Sequence, residues 1–182
     1  MIQQAIEKYY ERLKAAWTES NNTLPLVPYN KKVPSIVYNG VEDEEGYIGW
    51  HLVRNDKVVN FENINLKLGF DLHNDIKQYL VSYYFMELAG EIKDGLEVIM
   101  IPITPLINLE TFILNRNDVA LDNEWDNKLI DIGIVVLDNN DSLLLCVDNR
   151  NGEVLWLNGE TGDTEVISNS LESLINAMKP RC

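Results

Sequence analysis

LIDIGIVVLDNNDSLLLCVDNRNGEVLWL, residues 129–157, holds three apolar runs in close succession. Residues 130–137 and 143–147 are joined by the acidic turn Asp138-Asn139-Asn140-Asp141, and residues 154–157 follow Asp148-Asn149-Arg150-Asn151-Gly152. Short β-rich runs separated by Asn, Asp and Gly predict a hairpin series. Asn151-Gly152 is its strongest point, because a type I′ turn needs φ > 0 at both central residues. An antiparallel meander is therefore expected here, with the rest of the chain as helices packed on it.

Upstream, residues 2–20 predict an amphipathic helix. Ile2, Ile6, Tyr9, Leu13, Ala16 and Trp17 recur at three- and four-residue steps and Asn21-Asn22 ends the pattern. Pro25, Pro28 and Pro34 impose an extended path on the following segment. Residues 35–39 and 47–53 read as strands. A short helical turn is expected at 61–66, then a second amphipathic helix from an Asp71 cap through Tyr83 and Tyr84 to Ala89-Gly90. Lys93-Asp94-Gly95 reads as a hairpin turn. Asn108 caps a third helix, and residues 115–127 read as a polar connector. After the meander come a turn at 158–162, a strand at 164–167, and a last helix with Asn169 and Glu172 as its capping box. This order predicts an α+β fold, one domain over residues 1–182, with an antiparallel-dominated central sheet and flanking helices.

The chain has 182 residues, 46% hydrophobic and 24% charged, and a formal net charge of −14. Such acidity repels nucleic-acid phosphates and anionic headgroups and attracts basic partners. Its longest nearly unbroken apolar run, 98–103, falls well short of the roughly 20 residues a membrane span needs. With no secretory-type start and only Cys146 and Cys182, a cytoplasmic protein without disulfides or membrane insertion is expected. His51 and His73 have no companions at metal-ligand spacing, and Leu143 and Asn149 stand where a calcium loop starting at Asp138 needs Gly and Glu. No phosphate-binding or nucleophile motif is present. No metal, cofactor or catalytic residue is expected, so the chain reads as a binding protein and not an enzyme.

Binding residues are then sought among exposed acids and stranded aromatics. Glu42-Asp43-Glu44-Glu45 is a self-repelling run that must form a solvated tip, either a solubilising loop or a docking surface for a basic partner. Trp50 follows on a strand, where it either fills the core or lies at the rim of that surface. Trp125 stands among Asp122, Glu124 and Asp126 and is either an interface residue or tucked onto the sheet. Asp138 and Asp141 add acids from the meander's first turn.

The whole chain also resembles the Syd family of the SUKH superfamily. The resemblance lies in the order and spacing of short signals. These are Trp17 and Glu19 ahead of Leu24-Pro25, the Pro34-Ser35 step, Trp50 on an early strand, Tyr83-Tyr84, and Ala89-Gly90-Glu91-Ile92. Asn108-Leu109-Glu110-Thr111-Phe112, Ile132-Gly133, Asn151-Gly152-Glu153-Val154 and the leucine-bearing stretch 171–180 complete it. The series Asp138, Asp148, Gly152 is similar to the wider superfamily's core, whereas 115–128 differs from the family's usual connector. The resemblance implies a SUKH-like fold without catalysis and two possible roles. One is immunity, the neutralising of a toxin domain, often a nuclease, and it is the first expectation. The alternative is contact with basic cytoplasmic loops of the SecY translocon.

Overall fold

The expected meander is present as β8 (Leu129–Val136), β9 (Ser142–Asp148) and β10 (Val154–Leu157), with every pairing antiparallel. The structure, a computed structural model, describes residues 1–137 and 141–181, with Asp94 described by its backbone alone. The expected turn residues Asp138, Asn139 and Asn140 lie outside the described residues. The β9–β10 turn differs from expectation. Gly152 has φ 80, but Asn151 does not have a positive φ. Instead, Asn151 N–H reaches Asp148 O at 3.3 Å, Gly152 N–H reaches the same oxygen at 2.8 Å, and Asp148 pairs with Glu153. A four-residue loop closes with one left-handed glycine, so one residue with φ > 0 suffices.

The meander is extended on both sides by β6 (Leu88–Glu91), β7 (Glu97–Met100), β11 (Thr164–Ser168) and β12 (Lys179–Pro180). The seven-stranded order is β11-β10-β9-β8-β7-β6-β12. Three more strands, β1 (Leu26–Pro28), β2 (Tyr38–Asn39) and β3 (Tyr47–Trp50), form a small sheet ordered β1-β3-β2. β4 (Val53–Arg54) pairs with β5 (Tyr83–Tyr84). The fold is α+β with an antiparallel sheet.

Side chains alternate across the meander, as the pleat requires. Leu145, Val147 and Val154 enter the main core, while Leu144, Cys146, Leu155 and Leu157 join Leu129 and Trp125 in a smaller cluster. Helix α1 (Ile2–Asn21) buries Ile2, Ile6, Tyr9 and Leu13 in the main core and ends at Asn22, left-handed at φ 53. Its Tyr10 ring packs 5.0 Å from Trp50, and Tyr10 OH donates to Trp50 O at 2.7 Å. Trp50 is 0% exposed. It fills the core and is removed from the candidate surface.

Helix α2 (Phe61–Leu68) is longer than the single turn expected, capped by Asn60 and ended by left-handed Gly69. Helix α3 (Asn74–Ser82) is shorter. Its cap is His73, not Asp71, and Tyr83-Tyr84 leave the helix to pair with β4, so cross-strand pairing outweighs helical periodicity there. Ala89-Gly90 accordingly lie in β6. Helix α4 (Leu109–Asp122), capped by Asn108, runs through most of the expected connector. Buried Asn117 and Ala120 hold its second half to the sheet side despite the polar composition. The segment 35–39 is a 3-10 turn leading into β2, not one strand. Helix α5 (Leu171–Ala177) is capped by Ser170, one residue after the expected Asn169.

Candidate functional site

The acidic tip 42–45 closes the β2–β3 side of the small sheet. Its geometry is set by Asp43, whose Oδ1 accepts Glu45 N–H at 3.0 Å and Tyr47 N–H at 2.8 Å, while its backbone N–H donates to Tyr47 O at 2.8 Å. Asp43 is therefore occupied in shaping the turn. Glu42, Glu44 and Glu45 point to solvent, and Tyr29 and Tyr47, each 41% exposed, stand beside them. Tyr29 N–H donates to Gly46 O at 2.8 Å, which ties that tyrosine to the tip. Sequence reasoning missed both tyrosines; their adjacency comes from β1–β3 pairing.

The second group of expected residues lies elsewhere. Trp125 is half-buried on the small cluster and donates from Nε1 to Gly159 O at 3.2 Å, so it is tucked onto the sheet. One ring edge still lines a groove of about 610 Å³ with Asp141, Asn158 and Glu160. Glu160 was not expected there; the turn acid is visible in the sequence, but its proximity to Trp125 is not. Asp122 and Glu124 are exposed at the end of α4. Asp126 is drawn away to Arg150, with Oδ2 2.9 Å from the guanidinium. Asp138 lies outside the described residues.

Arg150 also makes paired contacts with Asp148, from Nε to Oδ1 and from Nη2 to Oδ2, both at 2.8 Å. Burial alone would raise the Asp148 pKa, but the hydrogen bonds from the Arg150 side chain and backbone outweigh it and hold the carboxyl below its usual range. Asp126 and Asp148 are thus neutralised internally. Asp131, opposite Cys146 on β9, is partly buried with Arg116 Nε 3.4 Å away. Burial pushes its pKa up against the opposing pull of Arg116 and the Gly133 N–H. Burial, with Asp131 nearby, also pushes the Cys146 thiol up, so this cysteine is an inert core residue.

The acids therefore form two patches. The small sheet lies toward the β6 side, where Leu26 and Trp50 line one cavity with Ala89, and the Trp125 groove lies at β9 and β10. Three strand spacings, about 14 Å, separate β6 from β9. Among the described residues no cluster of His, Cys, Asp or Glu suited to a metal ion is found. No helix among them is long and apolar enough to cross a membrane.

The family model for Syd protein (SUKH-2) matches residues 3–102, which reach from α1 past β7. Protein Syd of Aliivibrio fischeri strain MJ11 is 20% identical over 181 residues, 98% of this chain and 96% of that protein. Protein Syd of Aliivibrio salmonicida strain LFI1238 is 20% identical over 183 residues, with the same coverage of each. The likeness thus extends through the meander as well.

Proposed function

Because the chain belongs to the Syd (SUKH-2) family, we propose that it is a non-catalytic acidic module that docks on basic segments of a protein partner, the cytoplasmic loops of a SecY translocon before all. The observation that supports this most is the 42–45 tip. It presents three carboxylates with no internal structural task beside two exposed tyrosines, on a chain of net charge −14. Aromatic residues next to desolvatable charge are the usual anchors of a protein interface. Such a module works in the cytoplasm, against the membrane face, through protein contacts and without inserting.

Complementary charge acts mainly on encounter. Replacing Glu42, Glu44 and Glu45 together by Gln, with Asp43 kept to hold the turn, should lower the on-rate for SecY in nanodiscs about tenfold at low salt. The off-rate should change little, and salt should reproduce the effect on the parent chain. An unchanged on-rate would remove the tip from the interface. No binding of the parent chain at low salt would remove the translocon reading.

The immunity reading draws on the same acidity and on SUKH-2 membership, since nuclease toxins are basic. It is tested by co-expression with the C-terminal domain of a toxin encoded beside this protein's gene. Rescue of growth supports it, and continued killing excludes it.

A further inference from the structure

At an Asn-Gly step the backbone nitrogen can attack the side chain before it, because glycine has no Cβ to crowd the ring that closes. The chain has three such steps, Asn39-Gly40, Asn151-Gly152 and Asn158-Gly159. Two of them are held. Asn151 Nδ2 donates to Glu153 Oε2 at 2.7 Å and its Oδ1 accepts Glu153 N–H at 2.9 Å, while Gly152 N–H donates to Asp148 O at 2.8 Å. Asn158 Oδ1 accepts the N–H groups of Glu160 and Thr161 at 2.9 and 3.2 Å. Gly159 is packed under Trp125, since a Cβ there would come 2.9 Å from the indole ring. Each of these carboxamides must leave two hydrogen bonds before its carbon can meet the glycine nitrogen.

Asn39-Gly40 is open. Both residues are exposed, and nothing stands within 4 Å of where a Gly40 side chain would be. Among the described residues the Asn39 carboxamide makes no hydrogen bond and the Gly40 N–H has no acceptor. Asn39 is the last residue of β2 and lies opposite Gly49. His51 N–H donates to Val37 O at 3.1 Å, so by alternation Asn39 and Gly49 form a hydrogen-bonded pair and the Gly40 N–H faces away from β3. Turning the 39–40 peptide toward the carboxamide therefore costs only the terminal pairing of a two-residue strand. We propose that Asn39-Gly40 is a spontaneous deamidation site, which turns a neutral carboxamide at the base of the acidic tip into a carboxylate. The Gly40 nitrogen gives its proton to hydroxide and bonds to Asn39 Cγ, the Cγ–Nδ2 bond breaks, and ammonia leaves with a proton from water. Water then opens the five-membered imide at either carbonyl and gives aspartate or β-linked isoaspartate. One water is taken up, one ammonia is lost, and nothing is oxidised or reduced. The isoaspartyl form routes the main chain through the side-chain carbon, which ends the pairing with Gly49 and frees the approach to Glu42. This chemistry needs no partner and is independent of the docking function proposed above.

The test ages the folded full chain in mildly alkaline buffer. Its peptides are mapped by mass spectrometry for a gain of one mass unit, and isoaspartate is read by enzymatic methyl transfer from S-adenosylmethionine. Asn39 should react first. Two hydrogen bonds hold the carboxamide at each of the other steps, so Asn151 and Asn158 should lag by about tenfold or more. In urea, where the local sequence alone decides, the three rates should converge. Asn39→Gln, which needs a six-membered ring to react, should melt with the parent chain because the side chain it replaces has no partner. It should lose the early phase of methyl acceptance and keep the slow one. Asn151 or Asn158 reacting as fast as Asn39 in the folded chain would overturn the proposal, and so would an Asn39 that reacts in urea but not in the folded chain.

Discussion

His73 Nδ1 accepts the Asp75 N–H at 3.2 Å and caps α3, and its Cε1 edge lies where a side chain on Gly152 would stand. A Cβ on Gly152 would come 2.4 Å from that carbon, and the residue's φ of +80 is left-handed. The meander's second turn and the start of α3 thus meet through a missing side chain, and Asn149 reinforces the contact by accepting His73 N–H at 2.6 Å. Gly152→Ala carries both the left-handed penalty of about 1–2 kcal/mol and an overpacking cost of about 1–3 kcal/mol. Gly162, at φ +77 with nothing within 4 Å, carries the first alone, so Gly162→Ala is the control. Urea unfolding should show the Gly152 variant with the larger loss of midpoint at unchanged slope. Equal losses would mean that His73 yields without cost.

At the scale of the element, α4 ends in a Schellman arrangement that ordinarily uses glycine. Trp125 N–H donates to Ala120 O at 2.8 Å and Glu124 N–H to Leu121 O at 3.1 Å, which places Glu124 at φ 59. Glu124→Gly should relieve that strain and stabilise the protein by about 0.5–1 kcal/mol, a rise of a few degrees at most in Tm for a chain of this size. A fall in Tm would show that the glutamate side chain earns its place by contacts of its own. The same helix shows where sequence reading ran short. Its polar second half gave no apolar stripe, yet buried Asn117 and Ala120 carry it to Asp122. Tyr83 and Tyr84 failed in the opposite direction: they continue a helical stripe, but pair as β5. The meander was legible to within one residue at each strand end, because turn-forming residues bound every apolar run and both faces are apolar.

For the whole molecule, the acids were identifiable from the sequence but their grouping was not. Which loops become neighbours is decided by sheet order, and the order here sets the 42–45 tip and the Trp125 groove apart. It also pairs Asp126 and Asp148 with Arg150, which removes them from the available charge. Trp50 was ambiguous because a tryptophan on a short strand reads the same at a rim as in a core; the Tyr10 ring resolves it. The cavity that Tyr9, Trp17, Leu26, Ala89 and Arg181 line left no local signal, since its walls come from α1, β1, β3, β6 and the residue after β12.

That assembly has a consequence for biosynthesis. Helix α1 packs on α3 and on α5, which is made about 150 residues later, and Arg12 holds the end of α5 through the carbonyls of Ile175, Asn176 and Met178 at 2.9–3.1 Å. At roughly 5–20 residues per second, the side of α1 that α5 covers waits on the order of 10–30 s. A chain cut after residue 170 should therefore be cleaved within α1 by a brief protease pulse under conditions where the full chain resists; equal resistance would show that α1 is already held without α5. Until residues 171–177 leave the ribosome, the side of α1 that α5 covers stays open.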